Sequence, residues 1–204
     1  MISRLRTYES SRDLLSSFLI NRHTDFINFE QEFKDLLGFK YGLIFPYARS
    51  ALFCFLKALG FKNDVITCPA YICKVVPNSI ILSKNKVNYI DSSKRHFIPS
   101  PQNWDKDISK LSKLSIITPY FGYSVETHEC IKQIKKNNRN SLIMYDLCQG
   151  YLCPDDKKNE LDVDVFMYSM GISKQFSTIF GGFLGFNDKE IYLKVKNTRS
   201  EIFK

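Results

Sequence analysis

The sequence predicts an α/β protein, a three-layer sandwich built on a mostly parallel, seven-stranded sheet. Two observations carry that prediction. Short β-branched runs alternate along the chain with longer segments whose apolar residues recur every three or four positions, which is the alternation of α/β layering. Most of the short runs are also continuously apolar, as strands covered on both faces are. At 204 residues, 44% hydrophobic and 25% charged, the chain has the size and balance of a folded domain with a real core.

The elements follow in order. Residues 29–37 have helical period; residues 1–28 before them are set apart as an N-terminal helical segment, with residues 29–204 forming the main domain. Residues 41–46 make the first strand and 50–59 the next helix. Strands at 64–68 and 86–91 flank a helix over 70–82, in which Pro77 lacks an N–H and predicts a kink. The stretch 92–113, with Pro99, Pro101, Asn103 and the single tryptophan Trp104, has no clear period and predicts a long irregular excursion. Beyond it come a strand over 114–120, a helix over 125–136, strands over 141–146, 164–169 and 182–186, and a closing helix over 189–199.

The formal charge of +8 favours anionic partners. The basic residues are scattered, however, with one dense group at Lys135, Lys136 and Arg139, so they describe a solvated lysine-rich surface and not a nucleic-acid stripe. Six cysteines (Cys54, Cys68, Cys73, Cys130, Cys148 and Cys153) lie in apolar segments and form no C-x-x-C pair. They read as buried small hydrophobes in a reducing cytoplasm, with no metal site. The N-terminus has no signal-peptide core, and no apolar run approaches the ~20 residues of a membrane span.

In an open α/β sheet, ligands sit at the carboxyl ends of the strands. Four polar positions fall there. After the first strand, P-Y-A-R-S-A-L places Arg49 and Ser50 with the free amides of a helix start, a setting for phosphate. Asp146, followed by Gln149, ends one strand, and Ser169 ends another. Lys174 follows in a turn bracketed by Gly171 and Ser173; an amine beside a buried strand is a candidate nucleophile, because desolvation favours its uncharged form. A phosphate cradle, a carboxylate for a protonated ring nitrogen and a lysine able to form a Schiff base are what a protein supplies to pyridoxal phosphate.

The same residues carry a resemblance. The succession P-Y-A-R-S-A-L, D-V-I-T-C-P-A-Y, V-N-Y-I-D, M-Y-D-L-C-Q-G and F-M-Y-S-M-G-I-S-K-Q-F-S-T-I-F-G-G resembles the DegT/DnrJ/StrS family of pyridoxal-phosphate-dependent sugar aminotransferases, a branch of the fold type I enzymes. It runs from about Phe29 to Arg199. Its most specific parts are D-x-x-Q, S-x-x-x-x-K and the paired glycines Gly181 and Gly182. The resemblance implies that Lys174 is the catalytic amine that bonds to the cofactor and later carries a proton. It implies that Asp146 pairs with the ring nitrogen, that Gln149 lies on the ring hydroxyl side, and that Ser169 binds phosphate with the Arg49-Ser50-Ala51 turn. A lysine at this position marks the aminotransferases; dehydratase relatives carry histidine.

The chain departs from the family pattern at several positions. Ala48-Arg49-Ser50-Ala51 stands where many members have G-T-A-A. Cys73 occupies the place of a ring-stacking aromatic, with Tyr71 the nearby substitute. Phe180 replaces a common glutamate, and Pro119-Tyr120-Phe121-Gly122 replaces H-x-x-G; a changed sugar pocket accounts for both. The resemblance further implies a keto nucleotide-sugar substrate, glutamate as amino donor, a role in polysaccharide or related sugar biosynthesis, and a site completed at a homodimer interface. Family members continue into a C-terminal small domain, which this chain is expected to lack. A truncated or split member that keeps the fold but is inactive by itself, and is complemented by a C-terminal fragment, is the alternative expectation.

Overall fold

The computed structural model describes residues 22–94, 96–120, 126–150, 162–174 and 178–203. Helix α1 (Arg22–Leu37) leads into strand β1 (Tyr41–Phe45) and helix α2 (Ala48–Ala58). Then come β2 (Val65–Pro69), α3 (Val75–Leu82), β3 (Lys86–Ile90), α4 (Pro101–Asp107) and β4 (Ser112–Ile117). The chain closes with α5 (Thr127–Asn137), β5 (Leu142–Asp146), β6 (Val165–Ser169), β7 (Gly182–Phe186) and α6 (Lys189–Ile202).

One seven-stranded sheet orders these strands β1-β7-β6-β5-β4-β2-β3. Strand β7 runs antiparallel to both of its neighbours, β1 and β6, and the other pairings are parallel. Because successive strand residues point to opposite faces, the sheet feeds two cores. Leu43, Ile116, Met144, Met167 and Leu184 pack with α2, α3 and α6, whereas Ile117, Ile143, Phe166 and Phe183 pack with α1, α4 and α5. This is the expected three-layer sandwich.

Three elements depart furthest from the sequence expectation. Helix α1 begins at Arg22, so it runs through the division drawn at residues 28 and 29. Helix α3 begins at Val75 and not at residue 70, which puts Pro77 in its first turn, where a missing N–H leaves no bond unmade and produces no kink. The excursion 92–113 contains α4, whose N-cap Ser100 shares a capping box with Asn103 and whose Pro101 and Trp104 are its buried residues.

Edge strand β1 is latched from outside the sheet. The Ile44 N–H donates to Glu30 Oε1 at 2.8 Å, and Arg199 donates to the Ile44 carbonyl at 2.9 Å. Arg199 also pairs directly with Glu30, so α1 and α6 meet across this one residue.

Candidate functional site

The site starts from the junction of β1 and α2. Tyr47, the N-cap of α2, is extended and makes no side-chain cap hydrogen bond, so the amides that open the helix receive no partner from it. Gly182 at the start of β7 lies against this turn. A Cβ there would fall 2.3 Å from the Ala48 nitrogen and 2.4 Å from the Tyr47 carbonyl carbon, so only glycine lets the strand run this close to the helix start.

A cavity of about 200 Å³ opens at this point, at the carboxyl ends of β5 and β6. Arg49, Asp146, Gln149, Ser169 and Lys174 all line it. The guanidinium of Arg49 lies 3.9 Å from the centre of the Tyr47 ring, which fixes it over an aromatic face at the rim.

Asp146 is 3% exposed. Its Oδ1 accepts the Cys148 N–H at 2.9 Å. Burial pushes the Asp146 carboxyl above the ordinary range, while Cys148 and the Lys174 charge pull it back. Lys174 Nζ donates to the Cys148 carbonyl at 2.6 Å, and the Lys174 N–H closes its turn on the Gly171 carbonyl at 2.8 Å. One residue, Cys148, thus touches both the buried acid and the amine.

Ser50, Ala51 and Tyr71 stand apart from the cavity lining. Ala51 is fully buried and its N–H is spent on the Tyr47 carbonyl at 3.0 Å, as the fourth amide of a helix is expected to be. Tyr71 is 48% exposed and packs on the outer side of Tyr120, ring centres 5.5 Å apart. Tyr120 and Cys73 line the cavity in its place, with the Cys73 N–H donating to the Tyr120 hydroxyl at 3.0 Å. The cysteines therefore divide. Cys54, Cys68 and Cys130 are buried as expected, Cys73 and Cys148 face the cavity, and Cys153 lies outside the described residues. Phe121 and Gly122 also lie outside them.

A second cavity of about 670 Å³ adjoins the first and shares Tyr47 and Gly181 with it; Phe26, Phe29, Phe45 and Phe180 give it an apolar wall. Among the described residues no cluster of metal-ligating side chains is present, and no helix is long and apolar enough to cross a membrane.

A family model described as the DegT/DnrJ/EryC1/StrS aminotransferase family matches residues 6–202. Among curated proteins, dTDP-4-amino-4,6-dideoxy-D-glucose transaminase of Shigella dysenteriae is 25% identical over 172 residues, covering 84% of this chain and 46% of that protein. Among solved structures, a sugar aminotransferase from Micromonospora echinospora superposes with a TM-score of 0.81 at 16% identity, covering 98% of this chain and 57% of its own. The Bacillus subtilis protein NtdA, solved with bound cofactor PMP, gives 0.79 at 21% identity, covering 94% of this chain and 45% of its own. The chain spans about half the length of the curated relatives it matches.

Proposed function

The chain belongs to the DegT/DnrJ/EryC1/StrS aminotransferase family, and from that premise we propose that it supplies the cofactor-holding site of a pyridoxal-phosphate-dependent sugar aminotransferase. The observation that carries this reading is the joining of Lys174 and the buried Asp146 through Cys148, in a cavity whose other end is the uncapped start of α2.

The residues fit the cofactor on chemical grounds. An uncapped helix start with a serine hydroxyl and an arginine beside it suits a phosphate, and a buried carboxylate suits a protonated ring nitrogen. Ser169, Arg49 and the first amides of α2 would hold the phosphate, with Ser50 and Ala51 contributing as part of that turn and not as lining side chains. Asp146 would hold the ring nitrogen, Gln149 the ring hydroxyl side, and Lys174 the reacting carbon. Tyr120 and Cys73, which line the cavity where Tyr71 does not, would border the ring. When bound, pyridoxal phosphate supplies the electron sink that amino-group exchange requires.

The chain's own groups account for the rest. Asp146, buried with the Cys148 N–H on its Oδ1, would hold a positive charge at the ring nitrogen more strongly than an exposed carboxylate could. Lys174 Nζ is held at the Cys148 carbonyl, from which it can take and return a proton within the cavity. Met167, Leu52 and Val76 give the same cavity an apolar wall. The amino acceptor under this reading is a keto nucleotide-sugar in polysaccharide or related biosynthesis and the donor is glutamate. The supports are the transaminase relatives of dideoxy-amino sugars and the basic surface of a +8 chain. A cytoplasmic homodimer completes the proposal.

The test is absorption spectroscopy with added pyridoxal phosphate, before and after borohydride, with mass spectrometry of the labelled peptide. A visible band converted to a fixed adduct on Lys174, lost in Lys174→Ala, is expected. A borohydride-fixed adduct in Lys174→Ala overturns the role of Lys174.

A further inference from the structure

Thr118 carries a buried hydroxyl that the fold leaves without a bond. The residue follows strand β4 and is 2% exposed, and its Oγ1 has no hydrogen-bond partner among the described residues. A buried hydroxyl in that state costs stability, and an apolar side chain of similar shape would avoid the cost. The group calls for an explanation, and its place in the sheet supplies one.

Strands β4 and β5 run parallel, with Ile116 beside Met144 and Ile117 beside Tyr145. One step further along the same register, Thr118 falls beside Asp146. The face follows from the alternation of side chains. Leu114, Ile116 and Met144 pack on the side of α2 and α3, and Ile117 and Ile143 on the other. Thr118 and Asp146 therefore share the first side, which is the side of the cavity. Two residues on, Tyr120 lines that cavity, as the same alternation requires.

Asp146 is 3% exposed, so water gives its charge little support and neighbouring donors must do so instead. The Cys148 N–H is one, on Oδ1 at 2.9 Å. The Thr118 hydroxyl differs from that amide in being able to turn: its oxygen moves between staggered positions and its proton rotates about the C–O bond. It can stand idle beside a neutral carboxyl and donate to an ionised one.

We infer that Thr118 is a positioning residue of the site, whose hydroxyl turns to donate to the Asp146 carboxylate when that group is ionised and steadies it against the ring nitrogen. The consequence for the cofactor rests on the pyridoxal-phosphate reading; the placement beside Asp146 does not. A serine can fill the role, and a valine, which keeps the shape of threonine, cannot. A hydrogen bond to a charged acceptor is stronger than one between neutral groups, so its loss is measurable.

The test compares the wild-type protein with Thr118→Val and Thr118→Ser. In the cofactor-free protein, the carboxyl carbon of Asp146 is followed by NMR against pH, assigned through Asp146→Asn. The titratable groups around it, Cys68, Tyr120, Cys148 and Lys174, are the same in all three proteins. The ionisation of Asp146 is expected to move up by about one pH unit in Thr118→Val and to return toward wild type in Thr118→Ser. The dissociation constant of pyridoxamine phosphate, which needs no bond to Lys174, is expected to rise about tenfold in Thr118→Val alone.

A hydroxyl that serves only packing would change the melting temperature and leave both the titration and the dissociation constant in place, and that result overturns the inference. A moved titration in a protein whose Lys174 captures no pyridoxal phosphate upholds the pairing of Thr118 with Asp146 and defeats the cofactor reading. Capture on Lys174 with an unmoved titration overturns the inference and leaves that reading standing.

Discussion

Replacing Gly182 with alanine tests the packing on which the site is built. The added Cβ would meet the Ala48 nitrogen at 2.3 Å, the Tyr47 carbonyl carbon at 2.4 Å and Ala48 Cα at 2.6 Å, all of them backbone. No rotamer change can relieve such a contact. Strand β7 cannot retreat either, because Gly182 sits in register with Phe45 on one side and Ser169 on the other. The cost should fall at or above the top of the range of about 1–3 kcal/mol for overpacking a well-filled interior. Taking ~3 kcal/mol, and ~2–4 °C per kcal/mol for a chain of this size, the melting temperature should drop by about 6–12 °C. Gly60→Ala is the control. Its φ is +72°, but nothing lies within 4 Å of the added atom, so only the left-handed backbone penalty of ~1–2 kcal/mol applies. Calorimetry of the two variants beside wild type decides the matter. A Gly182→Ala protein that melts no lower than Gly60→Ala would refute the argument that the strand must approach the helix start this closely.

Asp146→Asn should raise the melting temperature of the cofactor-free protein at neutral pH, because burial holds the Asp146 carboxyl above its ordinary value and the ionised form therefore costs stability. The sign follows from the protons bound. Above pH ~4 the unfolded chain has released this proton while the folded chain retains it, so stability falls as pH rises through the folded-state value, and the advantage of asparagine should vanish in acid. A variant that melts below wild type at neutral pH would contradict this. The same change should weaken amino transfer while leaving the cofactor able to bind, read as turnover against a dissociation constant. Arg199→Met leaves the half-buried Glu30 carboxylate without its cation and should cost about 1–3 kcal/mol; adding Glu30→Gln should recover part of the loss, and additive losses in a double-mutant cycle would deny the coupling.

The sheet was legible because its strands are short, apolar and bounded. Strand β7 spans the expected residues 182–186, since a glycine pair opens the strand and Asn187-Asp188 closes it before a helix. Helix α4 was not legible: in seven residues its buried positions are only Pro101 and Trp104, too few to display a period. The late start of α3 was hidden because Tyr71 and Ile72 continue the apolar pattern through a turn. At the site, Lys174, Asp146, Gln149, Ser169 and Arg49 announced themselves as polar residues after apolar runs. Cys148 and Cys73 did not, because a cysteine in an apolar segment reads the same whether it faces a core or a cavity. Tyr71 stands outside the cavity wall, and what sets Cys73 and Tyr120 in that wall is a hydrogen bond between segments 47 residues apart, which no local pattern displays.

The latch on Ile44 gives strand β1 an unusual standing among sheet edges. An outermost strand ordinarily presents unpaired amides on which another chain can grow. Here the outward N–H and C=O of Ile44 are already taken by Glu30 and Arg199, side chains 169 positions apart. The first and last described helices thereby do the work of an eighth strand at that point. At Ile44 the edge offers no free group to a growing strand, and the amide of Ile44 should exchange with solvent as slowly as one from the interior of the sheet for as long as both helices stay docked.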